Sequence, residues 1–216
     1  MTLEPNCIQP FLDQVIKDCE PLTIDIDDEN GSVLGCMRPV TILHLSQEDV
    51  ICKLTEWRSK NMGAFLTQFN ATPERTRNWL EKVVFKKTGM MLFLIYWNDC
   101  IIGHLGFKEL TTTSAMLDNA IKGERLGPPK LFVYAHRCLV KWLLDRAGIK
   151  TFFGIVFADN APALMMNREI GWTGWVKLPL IKEQVNGEAR WKMGKENESS
   201  PTGKYCYKIF MEKDKK

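Results

Sequence analysis

The chain has 216 residues, 45% of them hydrophobic and 25% charged, and a formal net charge of +3 at pH 7. This is the balance of a soluble globular protein with one domain, or one domain and an appendage. Because the charge is spread along the chain rather than clustered, it argues against nucleic acid as a partner. No run approaches the ~18 apolar residues that span a bilayer, so no membrane association is expected. Met1 to Pro10 lacks the basic start and apolar core of a signal peptide.

Seven cysteines carry no C-x-x-C pair, and the three histidines are scattered. They read as reduced, mostly buried thiols of a cytoplasmic protein with no metal site. The tail from Glu212 to Lys216 mixes both signs of charge and reads as solvated.

In chain order, Ile8 to Cys19 predicts a short amphipathic helix stopped by Pro21. Leu22 to Ile26 and Val33 to Met37 predict a hairpin turning at Asn30-Gly31. Residues 1–38 are therefore expected to form a small appendage, serving as a homodimer contact or a lid, and residues 39–216 the main domain. Val40 to Leu45 is apolar and β-branched and predicts a strand. After Ser46, the recurrence of Val50, Ile51, Leu54 and Trp57 predicts a helix. Thr72-Pro73-Glu74 opens a second helix with a capping threonine and a proline in the first turn. Met90 to Trp97 and Cys100 to Leu110 predict a hairpin at Asn98-Asp99, and Ser114 to Ile121 a further strand.

A Gly/Pro loop from Gly123 to Pro129 then leads into a helix over Lys130 to Ala147, ended by Gly148. Thr151 to Phe157 is almost continuously apolar, as in a strand covered on both faces. A helix opens at Asn160 and stops at Gly171. Trp172 to Lys182 and Tyr205 to Met211 predict late strands, with a polar loop over Lys195 to Gly203 between them. A strand running through a glycine loop into a helix N-terminus suits a phosphate, because free N–H groups and the helix dipole converge there.

Two segments carry a family resemblance. Asn160-Ala161-Pro162-Ala163, followed by helix and Gly171-Trp172, resembles the N-x-x-A…G-aromatic segment of the GNAT superfamily of acyl-CoA N-acyltransferases. Thr55-Glu56-Trp57-Arg58-Ser59-Lys60, with Thr72-Pro73-Glu74 and Trp79-Leu80, resembles the W-R-N opening of one branch. That branch contains ribosomal-protein and nucleotide-amino-sugar N-acetyltransferases. Asp118 to Gly123 is more weakly similar to a strand of polysaccharide-pathway members. The likeness spans Val40 to Met211. It implies an α/β (α+β) fold with a mixed, largely antiparallel sheet of about seven strands flanked by helices. It also implies acetyl-CoA as co-substrate without a metal, and a small-molecule amine as acceptor, a nucleotide-linked amino sugar being favoured.

The resemblance also assigns residues. Asn119, Ala120 and Ile121 on the strand, Arg125, Leu126, Gly127, Lys130 and Leu131 on the loop and helix start, and Asn160, Ala163 and Asn167 on the next helix are expected to hold the cofactor. Trp57, Arg58 and Trp172 are expected on the acceptor side, Trp57 and Arg58 reading otherwise as packing and a surface salt bridge. The chain departs from the family at two points. Its phosphate loop reads Glu124-Arg125-Leu126-Gly127-Pro128-Pro129, where only Gly127 fits the usual pattern and the two prolines lack N–H groups. Asn167 stands where a tyrosine usually serves as general acid, and an amide cannot donate a proton as an acid.

For the base, Asp118, His104 and Glu109 are candidates, each with a plainer reading. His104 also reads as a hydrogen-bonded structural histidine, Glu109 as an exposed carboxylate at a strand end, and Asp118 as a structural hydrogen-bonding group. Trp172, Trp175 and Trp191 read either as core or as the wall of an acceptor pocket. A non-catalytic CoA-binding module and an acetyltransferase acting on protein N-termini are the alternative functions.

Overall fold

The computed structural model describes residues 8–213. Cys7 and the end of the tail lie outside them. The element order is α1 (Ile8–Ile16), β1 (Ile24–Asp27), β2 (Val33–Pro39), α2 (Glu48–Lys60), β3 (Thr67–Gln68), α3 (Pro73–Trp79), β4 (Met91–Trp97), β5 (Cys100–Lys108) and β6 (Ser114–Lys122). It continues with α4 (Leu131–Ala147), β7 (Thr151–Phe157), α5 (Ala161–Ile170), β8 (Gly174–Val185), β9 (Glu188–Met193) and β10 (Tyr205–Glu212). Among the described residues the strands form a ten-stranded sheet in the order β1-β2-β4-β5-β6-β7-β10-β8-β9-β3. All pairings are antiparallel except β6 with β7.

Local chemistry explains most boundaries. Asn98 and Asp99 both take positive φ (47° and 58°), the geometry of the tight turn that matches strand twist. Thr72 caps α3 by accepting from the Arg75 N–H, with a proline in the first turn. Gly148 (φ 68°) and Gly171 (φ 106°) end α4 and α5 in the left-handed region.

Four expectations are corrected. Residues 8–38, the described part of the expected appendage, are not separate from the main domain. The expected boundary falls inside β2, which pairs with β4, and Leu12, Val15 and Ile16 of α1 are buried in the principal core. Val40 to Leu45 is not a strand. Val40 is buried, but Ile42–Ser46 closes into a tight turn because His44 Nδ1 accepts the Thr41 N–H at 3.0 Å, a local bond that competes with strand pairing. The expected late strand to Lys182 runs on to Val185 and turns back as β9. With β1, β2, β3 and β9 included, the sheet exceeds the seven strands expected.

The principal core lies between the sheet and the pair α1 and α4. A second core joins α2 to the opposite face through Ile51, Leu54, Trp57, Leu92 and Leu94. Trp57 is its anchor. The indole is 1% exposed, donates to Glu124 Oε1 at 3.1 Å, and lies so close to Gly123 that a Cβ there would fall 2.0 Å from the ring. Trp57→Ala is expected to cost about 3–5 kcal/mol, as for other buried aromatic truncations. Urea denaturation would measure it, and a loss below about 1 kcal/mol would contradict this packing role.

Candidate active site

β6 and β7 pair only over Ser114–Met116 and Thr151–Phe153. Beyond those residues the strands part, while β7 keeps β10 on its far side along its whole length. The parting opens a cleft of about 470 Å³ through the sheet. Strand edges without a neighbour leave backbone N–H and C=O groups to be satisfied by something else.

On the β6 side, the strand bulges. His104 pairs with Ile121 and Gly106 with Asp118, so three residues of β6 occupy the step that two of β5 span, and Asn119 takes φ 53°. The His104 ring pins this bulge, with Nδ1 2.6 Å from the Asn119 carbonyl oxygen. A carbonyl only accepts, so Nδ1 carries the hydrogen. Burial pushes the His104 pKa down to about 4, which keeps the ring neutral at physiological pH. Trp57 stacks on it at 6.1 Å. His104 therefore holds the bulge rather than facing the cleft, and its structural reading prevails.

Asp118, just before the bulge, does line the cleft. Its carboxylate pairs with Lys108 at 2.9 Å and accepts from Asn119 Nδ2 at 3.0 Å. Lys108, Asn119, Ala120, Ile121 and Lys122 line the same wall. Glu109 does not: it is exposed at the end of β5 with φ 53°, outside the cleft.

On the α5 side, Asn160, Ala163, Asn167 and Trp172 all line the cleft. Asn160 caps the helix by accepting from the Ala163 N–H at 3.3 Å. The Asn167 amide is tied to the Ala163 carbonyl, Nδ2 donating at 2.8 Å. Trp172 is 5% exposed and its Nε1–H is buried with no partner among the described residues, a costly state for a donor unless something accepts from it.

The loop is where expectation and structure part most. Arg125, Leu126, Gly127 and Lys130 lie outside the cleft lining. Leu131 is core, 2% exposed, and its N–H already donates to the Pro128 carbonyl at 3.1 Å. Glu124, in the position of a polar cradle residue, turns back to Trp57 and lies 3.8 Å from Lys53. Gly127 at φ 83° provides the turn that only glycine takes without strain.

Trp57 and Arg58 are corrected too. Neither lines the cleft. Trp57 is core, and Arg58 shapes the wall from behind. Its Nη2 donates to the Thr67 carbonyl at 2.9 Å, and the guanidinium sits 3.5 Å from the Phe65 ring centroid. Burial lowers its pKa to about 10, leaving it charged at neutral pH. That grip sets the segment from Asn61 to Thr67 against the cleft. The segment is also held by β9: Thr67 pairs with Arg190, and the Trp191 N–H donates to the Leu66 carbonyl at 2.7 Å. Trp175 and Trp191 stay outside the cleft lining. His136 of α4 lines the cleft, and the sequence analysis missed it. The signal was present: it is a polar residue on the helix face carrying Phe132, Leu139 and Leu143.

Among solved structures, the chain is similar to an acetyltransferase of Salmonella typhimurium that modifies the N-terminal serine of a 50S ribosomal subunit protein. The identity is 14% and the TM-score 0.63, over 89% of this chain and 100% of that one. It is similar to a GNAT-family acetyltransferase from Bacillus anthracis at 13% identity and TM-score 0.58, over 88% and 98% of the two chains. It also resembles the microcin C7 self-immunity acetyltransferase in complex with acetyl-CoA and AMP, at 14% identity and TM-score 0.55, over 80% and 91%. No protein-family model and no curated protein matches the sequence. The parted strands, the bulge and the capped helix beside them are thus set in the fold of GNAT-family acetyltransferases.

Coenzyme A, which this fold implies, meets suitable groups here. The cleft offers unpaired strand edges, the unpartnered Trp172 N–H and the polar side chains of Asn160 and Asn167 to an amide-bearing arm. The phosphate end has fewer amides to offer, but Arg125 and Lys130 flank the start of α4, where the helix dipole also favours an anion.

Proposed function

We propose that this protein is an acetyl-CoA-dependent N-acetyltransferase acting on a small primary amine, with a nucleotide-linked amino sugar as the favoured acceptor. The observation that carries the reading is the cleft through the sheet, with Asn160 and Asn167 on the α5 wall and the Asp118 carboxylate on the β6 wall. Bound acetyl-CoA supplies the acetyl group as a thioester. Asn160, Ala163, Asn167 and the free edges of β6 and β7 are the groups that would hold its arm. Asp118 receives the ammonium of the acceptor and takes its proton. Neither Asn167 nor the neutral His104 can act as a proton donor to a leaving group.

The charge of the cleft supports an anionic acceptor. Among the described residues lining it, Lys108 is paired with the Asp118 carboxylate and Lys122 adds one positive charge, an excess that favours a phosphate-bearing or otherwise acidic molecule. Phe65 and Phe157 provide apolar surface for a ring. A protein N-terminus is the second reading, favoured by the likeness to the enzyme that modifies an N-terminal serine.

The test is calorimetric titration with acetyl-CoA, then thiol release screened across amino-sugar nucleotides, polyamines and N-terminal peptides. Acetyl-CoA binding with turnover of a sugar nucleotide is expected. Turnover of peptides alone would move the assignment to the second reading. Binding without turnover of any amine would leave a CoA-binding module. No affinity for acetyl-CoA would overturn the proposal.

A further inference from the structure

His136 is the one polar side chain among the buried residues of α4; the others are leucine, phenylalanine, valine and alanine. It is 3% exposed. Burying an imidazole among apolar groups costs free energy unless its polar atoms are paired, so a leucine would serve packing better. Nδ1 is paired within the helix, 2.7 Å from the Phe132 carbonyl oxygen. Because that oxygen only accepts, Nδ1 donates, and the neutral ring has its lone pair on Nε2. Burial lowers the pKa to about 4, so this tautomer persists across the neutral range. The same device holds His104, but His104 closes a bulge whereas His136 lines the cleft.

His136 therefore offers an acceptor on the α4 side of the cleft. Asn167 has one Nδ2–H tied to the Ala163 carbonyl, which leaves Oδ1 as acceptor and a second N–H as donor. A ligand group satisfying His136 Nε2 has to be a donor. The arm of coenzyme A carries two amide N–H groups and a thiol, and the amides are much the stronger donors.

We infer that His136 Nε2 accepts a hydrogen bond from an amide N–H of the coenzyme A arm, making His136 a cofactor-binding residue on the α4 side of the cleft. This rests on the cofactor assignment above and adds to it a residue from a second helix.

The experiment uses the full chain labelled with 15N-histidine, titrated with coenzyme A at neutral pH, beside calorimetry on His136→Leu and His136→Gln. In the free protein the His136 Nε2 resonance is expected at an unprotonated position. It moves on adding coenzyme A, and moves equally with desulfo-coenzyme A, which keeps the amides and lacks the thiol. His136→Leu is expected to bind coenzyme A about 3- to 10-fold more weakly, the size of one neutral hydrogen bond, and the glutamine variant recovers most of that loss through its own acceptor. Coenzyme A bound with the Nε2 resonance unmoved overturns the inference, as does equal affinity in the leucine variant. A response to coenzyme A but not to the desulfo analogue assigns the thiol as donor and overturns the amide assignment. No binding by the unaltered chain sinks the cofactor assignment itself. If the leucine variant fails to fold, the resonance of the unaltered chain decides.

Discussion

Between about pH 8 and pH 5 the protein is expected to lose about 4 kcal/mol of folding stability, about 2 from each of His104 and His136, by linkage. Both rings are held near pKa 4 by burial against an ordinary value of 6.5. In this window the unfolded chain binds protons that the folded chain refuses. Acid therefore favours unfolding, the loss begins near pH 6.5, and it is complete once pH falls through the folded value. His44 is lowered by burial as well and acts in the same direction. Against the 5–15 kcal/mol typical of a domain, the loss is large enough to unfold a marginal protein. Urea midpoints at pH 8 and pH 5 measure it. His136→Leu should remove about half of the difference while leaving the pH 8 value nearly unchanged, and equal midpoints at both pH values would refute the burial of the two rings.

The second large effect concerns activity. Of the three carboxylate and imidazole candidates for the base, Asp118 alone lines the cleft. Asp118→Asn keeps the side-chain shape and removes the proton acceptor, so kcat is expected to fall by about 10²- to 10⁴-fold, the usual share of general base catalysis. Acetyl-CoA affinity should change by less than about 3-fold, because the Asp118 carboxylate is paired with Lys108 on β5 and the exchange leaves the β6 backbone in place. Glu109→Gln, at an exposed position, should retain wild-type rates. An asparagine variant that keeps more than about a third of the activity would remove Asp118 from the mechanism.

The elements fixed by local chemistry were legible in the sequence. The stops at Gly148 and Gly171, the Asn98-Asp99 turn and the Asn160 cap each rest on interactions among near neighbours, while β7 is marked by its continuous apolar run although its partners are distant, and all sit where the residues predict. β9 was equally readable and overlooked: Asn186 and Gly187 take φ 53° and 79°, the turn that Asn-Gly favours. β3 was not readable, because two residues acquire strand geometry only by pairing with β9 more than a hundred positions away. The site divides the same way. Asn160, Ala163, Asn167 and Trp172 follow from one helix and reach the cleft together. Trp57 and Arg58 carry the right motif, yet the helix turns Trp57 into the core and sends Arg58 behind the Phe65 segment. Which of Asp118, His104 and Glu109 faces the cleft depends on the bulge at Asn119, a register break set by two strands meeting.

The short seam between β6 and β7 also divides the backbone pairing of the sheet. β4, β5 and β6 are joined by short connections and, with β1 and β2, form antiparallel pairs mostly local in sequence, the contacts that close early. β7, β8 and β10 form a second set. Three residue pairs join the sets directly, across a parallel crossover whose loop closure is entropically expensive. The strand sets are thus held together less by backbone pairing than by the core they share beneath α4, where Phe93 and Phe107 of one set are buried with Phe152 and Ile209 of the other.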